Sequence, residues 1–202
     1  HCVLKFMVPT REGVVIRRFI AAALGLLAAA CATDPAKIAI TTQSPTGLIV
    51  IASEPSMTPY DLRVVGYNLG EQKLGSNIAH LQGEAASART YLVAEAAADR
   101  YVLRDVSQQD TWAVCFHADS LSFELKPGEV VYLGVFDPNV HLAQLQMLAI
   151  TSGRTTARGG TLVHFFDKIT PPALAPPKDE DLAAVRAHLA ATSPLTTAPV
   201  RA

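Results

Sequence analysis

The chain has 202 residues, with 17 Lys and Arg against 18 Asp and Glu, a formal charge of −1. Half of the residues are hydrophobic and 6% are aromatic, which suits a globular body of ordinary core content. A near-neutral balance without a cluster of Lys and Arg excludes the basic surface that nucleic acids and anionic membranes require.

The first element in chain order is an export signal. Arg17 and Arg18 precede an apolar core at residues 19–27, then Ala28, Ala29, Ala30 and Cys31. The apolar run is too short for a bilayer span, which takes about 20 residues. The segment resembles the bacterial lipoprotein signal. That implies cleavage between Ala30 and Cys31 and lipidation of Cys31 with palmitate-type chains. Ala28 stands where that signal usually has Leu, with Leu27 one step further back. Ala28-x-Ala30 equally fits an ordinary secretory cleavage site. Residues 1–13 are expected to be upstream translation, 14–30 the signal peptide and 31–36 a lipidated linker. Ala32, in place of an Asp after the cysteine, implies by the same resemblance an outer-membrane anchor facing the periplasm. Cleavage before Cys31 leaves 13 Lys and Arg against 17 Asp and Glu, a charge of −4. Lipid on Cys31 would leave the mature chain no pair of thiols for an internal disulfide. Cys115 then reads as a small buried hydrophobe.

Residues 37–170 carry short β-rich runs without βαβ alternation, which predicts an antiparallel β-sandwich. Strands are expected at 37–42, at 47–52 as a fully buried apolar run, at 61–67 and at 91–95. Residues 68–90 read as a long loop or irregular edge, because Gly70, Gly75 and Gly83 interrupt them. Further strands are expected at 100–106 and 111–117. On the second, Trp112, Val114 and Phe116 share one face. Leu121, Phe123 and Leu125 alternate with polar residues as in a half-buried strand. Pro127-Gly128 is read as the turn of a hairpin whose second arm is 130–136. Residues 138–151 fit either a helical face or a bulged strand, and 162–166 a last strand. The paired prolines of 171–178 predict a stiff linker. Residues 179–191 form a short C-terminal helix with Asp179 as cap and Leu182, Val185 and Leu189 as its apolar stripe. Residues 192–202 are expected to be a disordered tail.

The run RYVLRDV at 100–106, followed by SLSFELKPGEVVYLG at 120–134, resembles small bacterial envelope lipoproteins of the DUF2846 or PEGA-like kind. In those a G-x-Y-x-L strand precedes one ending in x-G-E-x-x-Y-L. Here Asp99-Arg100 stands where the family has Gly. The resemblance covers about a fifth of the chain and implies a β-sandwich and an envelope location. It carries no catalytic residues.

No nucleophile elbow, phosphate loop, dinucleotide fingerprint or HExxH helix occurs. Cys115, His117 and Asp119 share one face of an extended strand and make a candidate metal set. The alternative is a buried cysteine beside a strand-end histidine. Tyr67, Tyr101, Trp112 and Tyr132, with Tyr60 and Tyr91, make a candidate aromatic binding surface, against an ordinary place in the core. His164 beside Phe165 and Phe166 reads as a core-edge histidine. No cofactor is expected and no catalytic residue is assigned. The expectation is a non-enzymatic envelope module, held to the membrane by lipid and binding another envelope protein or supporting the surface. The alternatives are a periplasmic hydrolase of unrecognised type and a small-ligand-binding sandwich.

Overall fold

The computed structural model describes residues 34–108, 112–116, 120–153, 164–166 and 170–202. The export signal, Cys31, His117 and Asp119 lie outside these residues. In chain order the strands are β1 (Thr46–Ser53), β2 (Tyr60–Asn68), β3 (Lys73–Gly83), β4 (Thr90–Ala97), β5 (Asp99–Gln108), β6 (Trp112–Cys115), β7 (Ser122–Leu125), β8 (Val130–Phe136), β9 (His164–Phe166) and β10 (Val200–Arg201). Helix α1 (Pro138–Thr151) follows β8, and helix α2 (Asp179–Thr192) precedes β10.

The body is a β-sandwich. One sheet has the order β10-β8-β1-β4 and the other β3-β2-β5-β6-β9, with β7 pairing β5. The pairs β1–β4, β2–β3, β2–β5, β5–β6 and β5–β7 are antiparallel, as expected. The pairs β1–β8, β8–β10 and β6–β9 are parallel, so both sheets are mixed.

Strand β1 explains the continuous apolar run of 47–52. Ile49 and Ile51 enter the core between the sheets, while Leu48, Val50 and Ala52 enter a second core on the outer face of the smaller sheet. A strand covered on both faces has no polar side to show. The inner core joins these residues to Leu62 and Val64 of β2, Tyr101, Leu103 and Val106 of β5, and Phe136 of β8. Helix α1 closes this core with Leu142, Leu145 and Ala149. The outer core places Val130 and Tyr132 of β8 with Val185 and Leu189 of α2, Ile38, Ile40 and Ala198.

Five expectations are corrected. Residues 37–42 are not a strand: Asp34 caps a 3-10 turn at Pro35–Lys37, and the extended segment beyond it hydrogen-bonds to the tail. Of the two readings of 68–90 the long loop falls and the irregular edge stands: these residues hold β3, an edge strand paired to β2 with a register shift, whose Ala79, Leu81 and Gly83 face inward. Its glycines are tolerated at an edge, and Gly83 is required, since a Cβ there would lie 2.2 Å from the Tyr60 ring. The Pro127-Gly128 turn does not close a hairpin. Gly128 takes a positive φ of 65° and its N–H donates to Thr46 O at 2.9 Å, so the chain passes from β7 in one sheet to β8 in the other. Residues 171–178 are not a spacer, because Ala175 exchanges backbone hydrogen bonds with Val135 at 2.9 and 3.0 Å. Gly134, at φ 112°, permits this approach; a Cβ would lie 2.1 Å from Ala175 O.

The tail is the fifth. Thr197 and Ala198 donate to Ile40 O at 2.8 and 3.0 Å, and Arg201 pairs with Glu129 at 2.7 Å. Residues 192–202 are therefore strapped onto the smaller sheet and end in β10. The ambiguous stretch 138–151 is helical because Asp137 accepts from Asn139 N at 2.9 Å and Pro138 suits the first turn. Helix α2 begins at Asp179 as read and runs one residue further, to Thr192, but its cap is Lys178 and not Asp179; Lys178 N donates to Asp181 Oδ2 at 3.2 Å.

Candidate functional site

The outer face of the larger sheet carries a row of polar side chains that the sheet register brings together. Arg63 of β2 stands opposite His80 of β3 on one side and Asp105 of β5 on the other. Leu62 and Val64 point into the core, so Asp61 and Arg63 point out. The extra residue Arg104 opposite the Arg63–Val64 step is a bulge in β5. It lets Leu103 and Val106 both enter the core and turns Asp105 to the outer face beside Arg63.

His80 Nδ1 and Asp61 Oδ2 are 2.8 Å apart. The hydrogen bond to Asp61 holds the His80 imidazole above its ordinary pKa, against a smaller loss from desolvation. Asp61 Oδ1 is buried and accepts no hydrogen bond among the described residues. Arg63 Nε donates to Asp105 Oδ2 at 2.8 Å, and its Nη2 donates to the same oxygen. Asp105 is 1% exposed, and burial pushes its carboxyl above the usual range while Arg63 opposes the rise. Burial lowers the Arg104 guanidinium. The row therefore alternates His80, Asp61, Arg63 and Asp105, with half-exposed His80 as its accessible end. His80 Nε2 is the nitrogen that Asp61 leaves open. Among the described residues no hydroxyl or thiol hydrogen-bonds to His80, so the row holds a proton donor and acceptor without a paired nucleophile.

A second cluster lies under α2. Arg89 donates through Nη2 to Glu54 and through Nη1 to Asp181 at 3.3 Å, joining the sheet to the helix. The Tyr132 hydroxyl is buried there without a partner among the described residues, and burial pushes its pKa up to about 12. Tyr91 and His188 pack ring to ring at 4.4 Å, and burial lowers the His188 pKa. A third polar group, His141 of α1, sits in the inner core between Phe116 and Phe136, at ring distances of 5.7 and 6.3 Å. Its Nε2 has no partner among the described residues, and desolvation lowers its pKa.

Among the described residues, those singled out from the sequence do not converge. Tyr101 and Tyr132 are 0% and 1% exposed and belong to different cores, so the expected aromatic platform does not form. Tyr67 is half-buried, and Trp112 packs at the margin of the inner core. Cys115 is buried as expected, but its sulfur is disulfide-bonded and is not a thiolate ligand. The other two members of the proposed metal set are not described. Among the described residues no three His, Cys, Asp or Glu side chains come together as a metal site. No helix among them is long and apolar enough to cross a membrane. A groove of about 460 Å³ beside the β4–β5 turn is lined by Asp99, Arg100, Glu124 and Lys126. Its charged rim differs from the deep apolar pocket that a small-ligand binder needs.

The polar row was missed in the sequence because its members lie 19 and 42 positions apart. Only the alternation of Asp61 and Arg63 within an apolar strand hinted at it. No protein-family model, characterised protein or solved structure matches this chain.

Proposed function

We propose that this chain is a lipid-anchored envelope protein whose sandwich acts as a non-enzymatic binding or structural module. The observation that carries the reading is the order of charged pair, short apolar run, three alanines and Cys31. Only Ala32 and Thr33 separate Cys31 from Asp34, whose carboxylate accepts from Ala36 N at 3.1 Å and opens the described body. Three residues reach about 10 Å at full extension, so lipid on Cys31 would hold the sandwich against the bilayer surface. Two acyl chains make such an anchor stable.

Labelled palmitate tests this directly. The wild-type chain takes up label and fractionates with membranes, whereas Cys31→Ser takes up none and becomes soluble. The anchor requires Cys115 to give up the disulfide it holds in the uncut chain, because a thioether consumes the Cys31 sulfur and a chain cut before Cys31 has lost Cys2. An intact mass showing a Cys31–Cys115 disulfide in place of lipid refutes the anchor.

One observation favours a second reading, a periplasmic hydrolase. Asp61 orients His80 and raises its basicity, as a general base acting on water requires. Ester and amide substrates assayed with the wild type and His80→Gln separate the two. Turnover that His80→Gln abolishes supports the hydrolase, and equal rates reject it.

A further inference from the structure

His141 is the one titratable residue of α1 and stands where a proton is hard to hold. Its ring is buried between Phe116, next to β6, and Phe136 of β8, and its Nε2 meets no partner among the described residues. It is the fourth residue of the helix, in the first turn, where the positive end of the helix dipole opposes a cation. No counter-charge answers it. Helix α1 and strand β6 carry no Lys, Arg, Asp or Glu. Of the carboxylates that flank these elements, Asp137 accepts from Asn139 N at 2.9 Å, and Glu54, whose N–H donates to Phe136 O, pairs with Arg89. Tyr60, which also packs on Phe136, donates its hydroxyl to Ser53, and Tyr132 of β8 lies in the outer core. Burial alone moves the His141 pKa, downward. The neutral ring suits this cage, whereas an imidazolium would be a buried charge without a partner.

Helix α1 is also held by little. Leu142, Leu145 and Ala149 seat it on the inner core, and Asn139 Nδ2 ties it to Pro55 O at 2.8 Å. Its other side is open, with Val140, Met147 and Ile150 exposed. Strands β1 and β5, by contrast, are paired along both edges. Elements with few buried contacts open before the rest of a fold. We propose that α1 is a proton-controlled flap: protonation of His141 releases the helix from the inner core while the two sheets stay paired. The open state hydrates the imidazolium and the closed state excludes it, so acid shifts the balance toward open. Below the ordinary histidine value of about 6.5 the opening constant rises at most about tenfold per pH unit, or about 30-fold from pH 7.5 to 5. Opening uncovers Phe116 and Phe136, between which His141 sits. The proposal stands independently of the lipid anchor and of His80.

Native-state hydrogen exchange of the full chain tests it, resolved by residue and expressed as protection relative to the intrinsic rate at each pH. Amides bonded within α1 should exchange faster than those of β1 and β5, and their protection should fall by up to about 30-fold between pH 7.5 and 5. In His141→Phe, which fills the cage without a titratable group, α1 protection should stay constant over that range. His141→Gln should lower the protection but leave it equally independent of pH, so the link is read even where the phenyl ring is not accommodated. Three results each overturn the proposal. One is α1 amides as protected as those of β1 and β5, which means that the helix leaves only when the whole body unfolds. Another is wild-type α1 protection that does not change with pH. The third is a loss at low pH that persists in both variants.

Discussion

Leu189→Ala tests whether the C-terminal helix belongs to the fold. Leu189 is 3% exposed and lies in the outer core with Leu48, Val50, Val185 and Tyr132. Truncating a buried leucine costs about 2–5 kcal/mol, depending on how far the site collapses. Helix α2 has the sheet on one side only and can settle toward it, so the lower part of the range, about 2–3 kcal/mol, applies. For a body of this size each kcal/mol moves the thermal midpoint by about 2–4 °C, giving a drop of about 4–12 °C. With a urea m-value of about 2 kcal/mol/M, the denaturation midpoint falls by about 1 M or more. Ala184→Ser, on the exposed side of α2, should stay within about 0.5 kcal/mol of wild type. If Leu189→Ala unfolds together with that control while helical circular dichroism is retained, α2 is not seated on the sheet and the outer core is wrongly drawn.

Three further outcomes are expected. Gly134→Ala forces a Cβ onto Ala175 O at a positive φ, costing about 1–3 kcal/mol; limited proteolysis should then cut residues 171–178, and unchanged resistance would count against their pairing. His141 is held below its ordinary pKa, so the native state binds its proton less readily than the unfolded chain. Stability should therefore fall as pH drops below about 6.5, by up to about 1.4 kcal/mol per unit. His141→Phe should flatten that slope in urea midpoints taken from pH 7.5 to 5, and parallel curves would contradict it. His80 shows the opposite sign: its contribution is complete below about pH 6.5 and is lost as pH rises through its raised native value. Because the ring is half exposed, NMR titration is the better readout; Asp61→Asn should move the His80 midpoint downward, and an unmoved midpoint would deny the pairing.

The sandwich could be read from the sequence where pattern and environment agree. Residues 47–52 show no alternation because β1 is buried on both faces, and Leu121, Phe123 and Leu125 alternate because β7 is buried on one. The errors share a cause, namely that partners distant in sequence decide them. Pro127-Gly128 signals a reversal, but turn residues alone do not tell a hairpin from a crossing between sheets. The deciding contacts are Gly128 with Thr46 and Gly47 against Leu125, where a Cβ would lie 2.7 Å away. Strand β10 has only two residues, and the tail draws its hold from Ile40, through Thr197 and Ala198, and from β8, so local composition suggests a loose tail. The row of Asp61, Arg63, His80 and Asp105 exists only once register is set. The β5 bulge at Arg104, which turns Asp105 outward, has no local signal at all.

The hydrogen bonds around Ile38 and Ile40 bear on how the body would carry force. Thr196 accepts from Ile40 N at 3.3 Å and donates to Ile38 O at 3.1 Å, and the next two amides grip Ile40 O. A pull entering from the N-terminal side therefore loads the last ten residues before it loads β1. Those few bonds peel in turn, whereas β1 is locked between β4 and β8. Under tension the molecule should yield first at its C-terminal strap, uncovering the outer core while the inner one stays shut.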